Sequence, residues 1–255
     1  MALLAAVVVV SGLTGCGTRG GGSNSAAPPV STTPTSPTAS TLATSPGPTT
    51  LRPAPIPGEV STAEAVTAID ARIVVHSGPG GPVTQTFTNP QPSGAPLTFL
   101  RKGQDRDWLQ VYLPVRPNGS TGWVRTTDVT QAPIPYHLEI STAAHQLRLY
   151  QANQLLHTYP AATGTGGTPT PLGLFYLTEL LAPTNSGYGP YAYGLSAFSN
   201  VLTSFGGGRG QIGLHGTAEA ASIGHSVSHG CIRLSNTDIT TLAKLLPLGT
   251  PVHIT

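Results

Sequence analysis

Apolar and polar positions change their rhythm three times along the chain. Residues 2–11 (ALLAAVVVVS) are an almost unbroken apolar run, about the length of a signal-peptide core and too short to cross a bilayer as a helix. From 17 to 62 large apolar side chains almost vanish, and Gly, Ser, Thr, Pro and Ala take over. Such a segment cannot bury enough surface to offset its ordering entropy, so the pattern predicts a disordered linker, extended by its prolines. Over 65–132 the period becomes two. Short strands are predicted at 71–75, 97–100 and 108–113, with Gly122-Trp123-Val124 after a Pro117-Asn118-Gly119 turn and Gly/Pro punctuation at 77–82. Short strands with turns at this spacing predict a small β-barrel or sandwich, with Trp108 and Trp123 in its core.

The stretch 136–255 has the same strand rhythm and one helix. Tyr136-His137-Leu138-Glu139-Ile140, Gln146-Leu147-Arg148-Leu149-Tyr150, 157–160, 173–177, 211–215 and 251–254 read as strands. Between 236 and 246 the period lengthens, placing Ile239, Leu242, Leu245 and Leu246 on one face. Ser235 and Asp238 supply a start signal, and Pro247 with Gly249 a stop. The fold class is therefore mainly β, with one short helix near the C-terminal end. Residues 182–200 are turn-rich, with Gly and Tyr.

Composition changes this picture little. Charged residues are only 9% of the 255 positions and the formal net charge is +2, which excludes an electrostatic case for nucleic acid. The low charge is diluted by the first 62 residues, which need none. The two cysteines, Cys16 and Cys231, are too few for a disulfide scaffold.

Candidate chemistry concentrates at Ser228-His229-Gly230-Cys231. In a shuffled chain of this composition His-Gly-Cys is expected roughly 0.008 times. His215 closes a predicted strand sixteen residues earlier, and His225 lies between. Histidine and Arg233 beside a thiol favour the thiolate, the nucleophilic form. Gly230 lets backbone approach a substrate, and successive N–H groups there suit an oxyanion. Three classes compete. The first is a cysteine acyl-transfer enzyme. The second is a zinc protein using His215, His225, His229 and Cys231, although the usual ligand spacings are absent. The third is a non-catalytic binding protein with a structural cysteine, recognisable by slow thiol reactivity.

These motifs resemble known families. Leu214-His215-Gly216 followed by Ser228-His229-Gly230-Cys231-Ile232-Arg233-Leu234, with the 164–173 stretch before them, resembles the YkuD-type L,D-transpeptidases over 136–255. The resemblance implies a YkuD-like catalytic β-sandwich in which Cys231 is the nucleophile and His215 its base, held by the Gly216 carbonyl. It further implies that His229 lines the site and that Gly230 and Cys231 supply oxyanion donors. Ser228 and Arg233 would position loop or substrate, and Tyr191 and Tyr193 would line the substrate under the 182–200 lid. Peptidoglycan stem peptides become the expected partners and carbapenem-type inhibitors the expected acylating agents. The expected product is a cross-link between the third residues of two stems, or a trimmed stem if water is the acceptor; no metal or organic cofactor is implied. NlpC/P60 peptidases, with cysteine before histidine, and sortases, with a wider His–Cys interval, fit less well. Residues 65–132 resemble a bacterial SH3-like domain, closest at 113–124. Leu13-Thr14-Gly15-Cys16 resembles a lipoprotein cleavage site. It implies a signal over 1–15, a lipid anchor on Cys16 and an exported protein on the outer face of the cytoplasmic membrane. Only Met1-Ala2 precedes the apolar run, without a basic residue, and an ordinary secretion signal is the alternative.

Overall fold

Two antiparallel-rich sheets account for nearly all regular structure in the computed structural model, which describes residues 63–204 and 208–255. The expected signal over 1–15, Cys16 with its anchor, and the linker 17–62 lie outside the described residues. The first sheet holds β1 (Glu64–Ala68), β2 (Arg72–His76), β3 (Val83–Thr88), β4 (Thr98–Asp105), β5 (Trp108–Tyr112), β6 (Thr121–Arg125) and β7 (Val129–Pro133), in the order β3-β2-β6-β5-β4-β1-β7. Alternation sends Val66, Ile73, Val75, Phe99, Leu109, Val111 and Val124 inward, all at most 1% exposed. The parity that buries Leu109, Val111 and Val124 turns Trp108 and Trp123 outward. They are half-buried on the outer face rather than core residues, which corrects the expectation. Trp108 lies under the Arg125 guanidinium at 4.9 Å and edge-on to His76 at 4.8 Å. Strands β1, β3 and β7 were not expected. The last two are edge strands, β3 rich in Thr and Gln and β7 ending in a proline that an edge tolerates.

The second sheet is built from β8 (Tyr136–Ser141), β9 (Gln146–Gln151), β10 (Gln154–Pro160), then, after the short β11 (Thr163–Gly164), from β12 (Gly173–Leu181), β13 (Ala192–Phe198) and β14 (Gln211–His215). Beyond β15 (Ser226–Ser228) come β16 (Ile232–Arg233), helix α1 (Asn236–Leu245) and β17 (Pro251–Ile254). Its order is β10-β9-β8-β17-β12-β13-β14-β16, with β8–β17 and β14–β16 parallel. The helix starts where expected. Ser235 Oγ accepts from the Asp238 N–H at 3.1 Å and donates to its carboxylate at 2.6 Å. Ile239 and Leu242 bury the inner face, while Leu245 is 37% exposed and leaves the expected stripe. No helix among the described residues is long and apolar enough to cross a membrane.

The described residues fall within one compact unit, and polar contacts join its two sheets. Tyr176 Oη, fully enclosed, donates to the Tyr112 carbonyl at 3.2 Å. Asn118, from the expected turn, meets the backbone of Phe198 with both ends of its amide, at 2.8 and 2.9 Å. Arg116 donates to the carbonyls of Ser199 and Arg209 and lies 4.9 Å over the Phe198 ring.

Candidate active site

Two neighbouring parallel strands bring the site together. Leu214 of β14 pairs with Ile232 of β16, and His215 with Arg233. That register sets Cys231, just before β16, beside Gly213. The Gly213 N–H points at Cys231 Sγ at 3.4 Å. A methyl group at Gly213 would lie 3.5 Å from His215 Cδ2 and 3.7 Å from Cys231 Sγ. Imidazole and thiol thus share one face of the strand across a residue that offers no side chain. Gly213 has no side-chain chemistry to announce it, and sequence reasoning passed over it.

His215 is 3% exposed, and its Nδ1 lies 2.6 Å from the Gly216 carbonyl. A carbonyl can only accept, so Nδ1 carries the proton and Nε2 keeps its lone pair. Burial pulls the imidazole pKa from 6.5 down to about 4; the Gly216 contact opposes this and the Arg233 charge adds to it. The Tyr188 ring covers His215 with centroids 4.7 Å apart. Burial pushes the Cys231 thiol pKa up, while the Gly213 N–H and Arg233 pull it back. The sequence suggested a thiolate favoured by its cationic neighbour; here desolvation outweighs that charge. Arg233 also favours thiolate while disfavouring imidazolium, so it does little for an ion pair. The resting couple is neutral thiol and neutral imidazole.

The loop carrying Cys231 is tied down by hydroxyls. Ser228, 1% exposed, donates through Oγ to the Cys231 carbonyl at 2.6 Å and accepts from the Gly230 N–H at 3.1 Å. Thr170 Oγ1 donates to the Gly230 carbonyl at 2.9 Å, and Thr168 Oγ1 to that of Ser228 at 3.2 Å. The 164–173 stretch is therefore a brace, fastened further by β11 pairing in parallel with β15. Gly230 has φ +114, a conformation L side chains rarely adopt, and a Cβ there would press on Ile212 at 3.0 Å.

Several expected roles change. The Gly230 N–H is already held by Ser228 and does not face the pocket as an oxyanion donor. Tyr193 is among the residues that line the pocket at the thiol, as expected, but it is 1% exposed and its Oη lies within hydrogen-bond reach of the Leu242 and Leu246 carbonyls, so its hydroxyl is spent on anchoring α1. Tyr191 packs against the core and accepts the Gly216 N–H on its carbonyl. The tyrosine whose ring lies against His215 is Tyr188, which sequence reasoning did not single out. Ala192–Phe198 of the expected lid is the core strand β13, which leaves 182–191, with a 3₁₀ turn at 186–188, and 199–200 outside it. Arg233 donates to Glu219 at 2.8 Å, and His225 and His229 are exposed. No three His, Cys, Asp or Glu side chains among the described residues converge as a metal site. The pocket at the thiol, about 300 Å³, is lined by Tyr188, Tyr193, Gly213, His215 and Cys231, together with Glu179 and Arg209.

The chain was compared with known proteins by sequence and by structure. Residues 135–254 match the family model described as the L,D-transpeptidase catalytic domain, YkuD. The YkuD protein of Bacillus subtilis (strain 168) is 39% identical over 121 residues, covering 48% of this chain and 66% of the relative. That of Bacillus licheniformis is 38% identical over 122 residues, covering 48% and 67%. The chain thus spans about two thirds of the length of these relatives. An L,D-transpeptidase from Mycobacterium smegmatis, 16% identical, superposes with a TM-score of 0.40 over 62% of this chain and 90% of that one.

Proposed function

The chain belongs, through residues 135–254, to the YkuD L,D-transpeptidase family, and on that premise we propose that it is a cysteine-dependent peptidoglycan L,D-transpeptidase. One observation carries the reading: Cys231 and His215 meet across Gly213 in one pocket, with Nδ1 of His215 held by a carbonyl and Nε2 left basic. Cys231 Sγ attacks the carbonyl of the third, L-configured stem residue while its proton passes to His215 Nε2. The Gly213 N–H steadies the charge growing on sulfur, and the Cys231 N–H receives the carbonyl oxygen as it becomes an oxyanion. The C–N bond breaks, and D-alanine leaves with the proton from His215. An amine of a second stem then attacks the thioester, gives its proton to His215 and releases the thiol, which closes the cycle. A neutral resting couple suits this order, since charge forms only once substrate fills the pocket. Carbapenem-type β-lactams, whose strained carbonyl offers the same target, acylate Cys231 in this scheme. Export and an anchor at Cys16 belong to the same proposal.

The test is intact-protein mass spectrometry after incubation with a disaccharide-tetrapeptide ending in D-alanine. The expected result is an adduct on Cys231 equal to the donor less D-alanine, absent in Cys231→Ala. An adduct that survives that substitution, or none on the natural protein, overturns the reading.

A further inference from the structure

A second, larger groove borders the pocket at Cys231. The two share Glu179, Gly208, Arg209 and Gln211 in their walls, so they adjoin, with about 730 Å³ in the groove against about 300 Å³ at the thiol. The far wall belongs to the other sheet: Gln85, Thr86, Phe87 and Thr88, four consecutive residues of β3. Side chains alternate between the two faces of a strand. A wall made of four successive residues is therefore the strand's edge, with its backbone N–H and C=O groups, and not a face. β3 is the terminal strand of its sheet. Gln91 holds this wall in place by donating to the Thr178 carbonyl of β12 at 2.8 Å, and Arg116 bonds the Arg209 carbonyl at 2.7 Å.

A transferase must hold two peptides at once, and about 300 Å³ is the lower end of what a site for one small ligand occupies. The groove supplies the missing room. It also has the right chemistry, because a free strand edge captures extended peptides by main-chain hydrogen bonds. Glu179 stands at the junction of groove and pocket, on the route an ammonium group would take toward a thioester on Cys231, and Arg209 offers a guanidinium to a carboxylate on the same peptide. We infer that the groove along β3 binds the acyl acceptor, an extended stem peptide with a free side-chain amine, as an added strand. This assignment rests on the transpeptidase reading above and gives the first sheet a part in substrate binding.

The full chain is tested with a disaccharide-tetrapeptide donor and a synthetic stem tripeptide carrying a free side-chain amine as acceptor. Thr86→Arg and, separately, Ser93→Arg place a long cation at two points of the groove wall; both positions are exposed and neither lines the Cys231 pocket. Each variant is expected to form the donor thioester at the natural rate, to raise the acceptor KM by about tenfold or more, and to divert thioester to hydrolysis. Unchanged melting temperatures show that both are folded. An acceptor KM unchanged in both variants overturns the groove assignment alone, as does an equal loss of thioester formation and transfer. Failure of the natural protein to form any thioester removes the transpeptidase reading, and the groove assignment with it.

Discussion

Thr98 is the one buried polar side chain of the first sheet among the described residues, whereas the second sheet and its loops bury His137, Thr163, Thr170, Thr178, Ser196, His215, Ser228 and Thr250, among others. Both regions are made of short strands, so the strands alone do not explain the difference. The first sheet follows its alternation, apolar inward and polar outward, and its stability rests on packing. The second departs from it where Cys231 is held, and most departures are matched by a partner: Thr170 by Gly230, Ser228 by Cys231 and Gly230, His215 by Gly216, with Arg233 Nε the buried exception. A buried polar group without a partner costs more than a hydrogen bond returns. The catalytic region thus trades packing for satisfied polar contacts, and the two regions should fail in different ways.

The largest expected effect tests the packing side. Leu109 is fully buried in the core of the first sheet. Leu109→Ala is expected to lower stability by about 2–5 kcal/mol, the cost of lost transfer energy plus a cavity. Thioester formation on Cys231, measured below the lowered melting temperature, should keep its rate. A parallel loss of acylation in the folded variant would break the distinction between the regions.

Acid sensitivity sharpens the other side. The His215 pKa is about 4 in the fold against 6.5 unperturbed, because burial disfavours the imidazolium. The unfolded chain therefore binds the proton first. The associated stability, about 3 kcal/mol, is complete above pH 6.5 and is lost as pH falls toward 4. His137, lowered by burial in the same way, adds in the same direction. Chemical denaturation at stepped pH should show this slope, and His215→Gln should flatten most of it. Because Nε2 stays unprotonated in the fold, the acid limb of kcat/KM should also lie well below pH 6.5. A limb at 6.5 with no slope in stability would mean that the imidazole is solvated.

Most of the fold was legible because hydrophobic period survives where one face is wet. Leu109-Gln110-Val111 and Leu147-Arg148-Leu149 alternate and became strands, and Ser235 capped the helix where its spacing put it. Strand β13 was not legible. Ala192–Phe198 is buried on both faces, so it has no alternation, and its Gly, Ser and Tyr resemble loop. That is why Tyr193 was not expected to have its hydroxyl tied to the helix carbonyls. The thiol and its base were visible as side chains of distinctive chemistry at a telling spacing. The Gly213 N–H and the Gly216 carbonyl act through backbone, which any residue carries, and only the β14–β16 register gives them their roles.

The smallest effect separates bracing from packing most sharply. Ser228 buries a single hydroxyl that serves two backbone groups of the nucleophile's loop, the Cys231 carbonyl and the Gly230 N–H. Ser228→Ala removes one oxygen and leaves almost no cavity, so the packing term is near zero. It strands a buried donor and an acceptor, which sets the cost at about 1–3 kcal/mol. The consequence is local, because Gly230 already sits at φ +114 and relies on its neighbours to stay there. Thioester formation should therefore fall even where the variant is fully folded, and amide exchange should quicken at Gly230 and Cys231 while remaining unchanged at Leu109 and Val111. This is the inverse of Leu109→Ala, which costs more stability and no chemistry. Equal exchange at both sets of amides would mean that the loop and the first sheet open together, and the hydroxyl brace would then be ordinary structure rather than part of the catalytic apparatus.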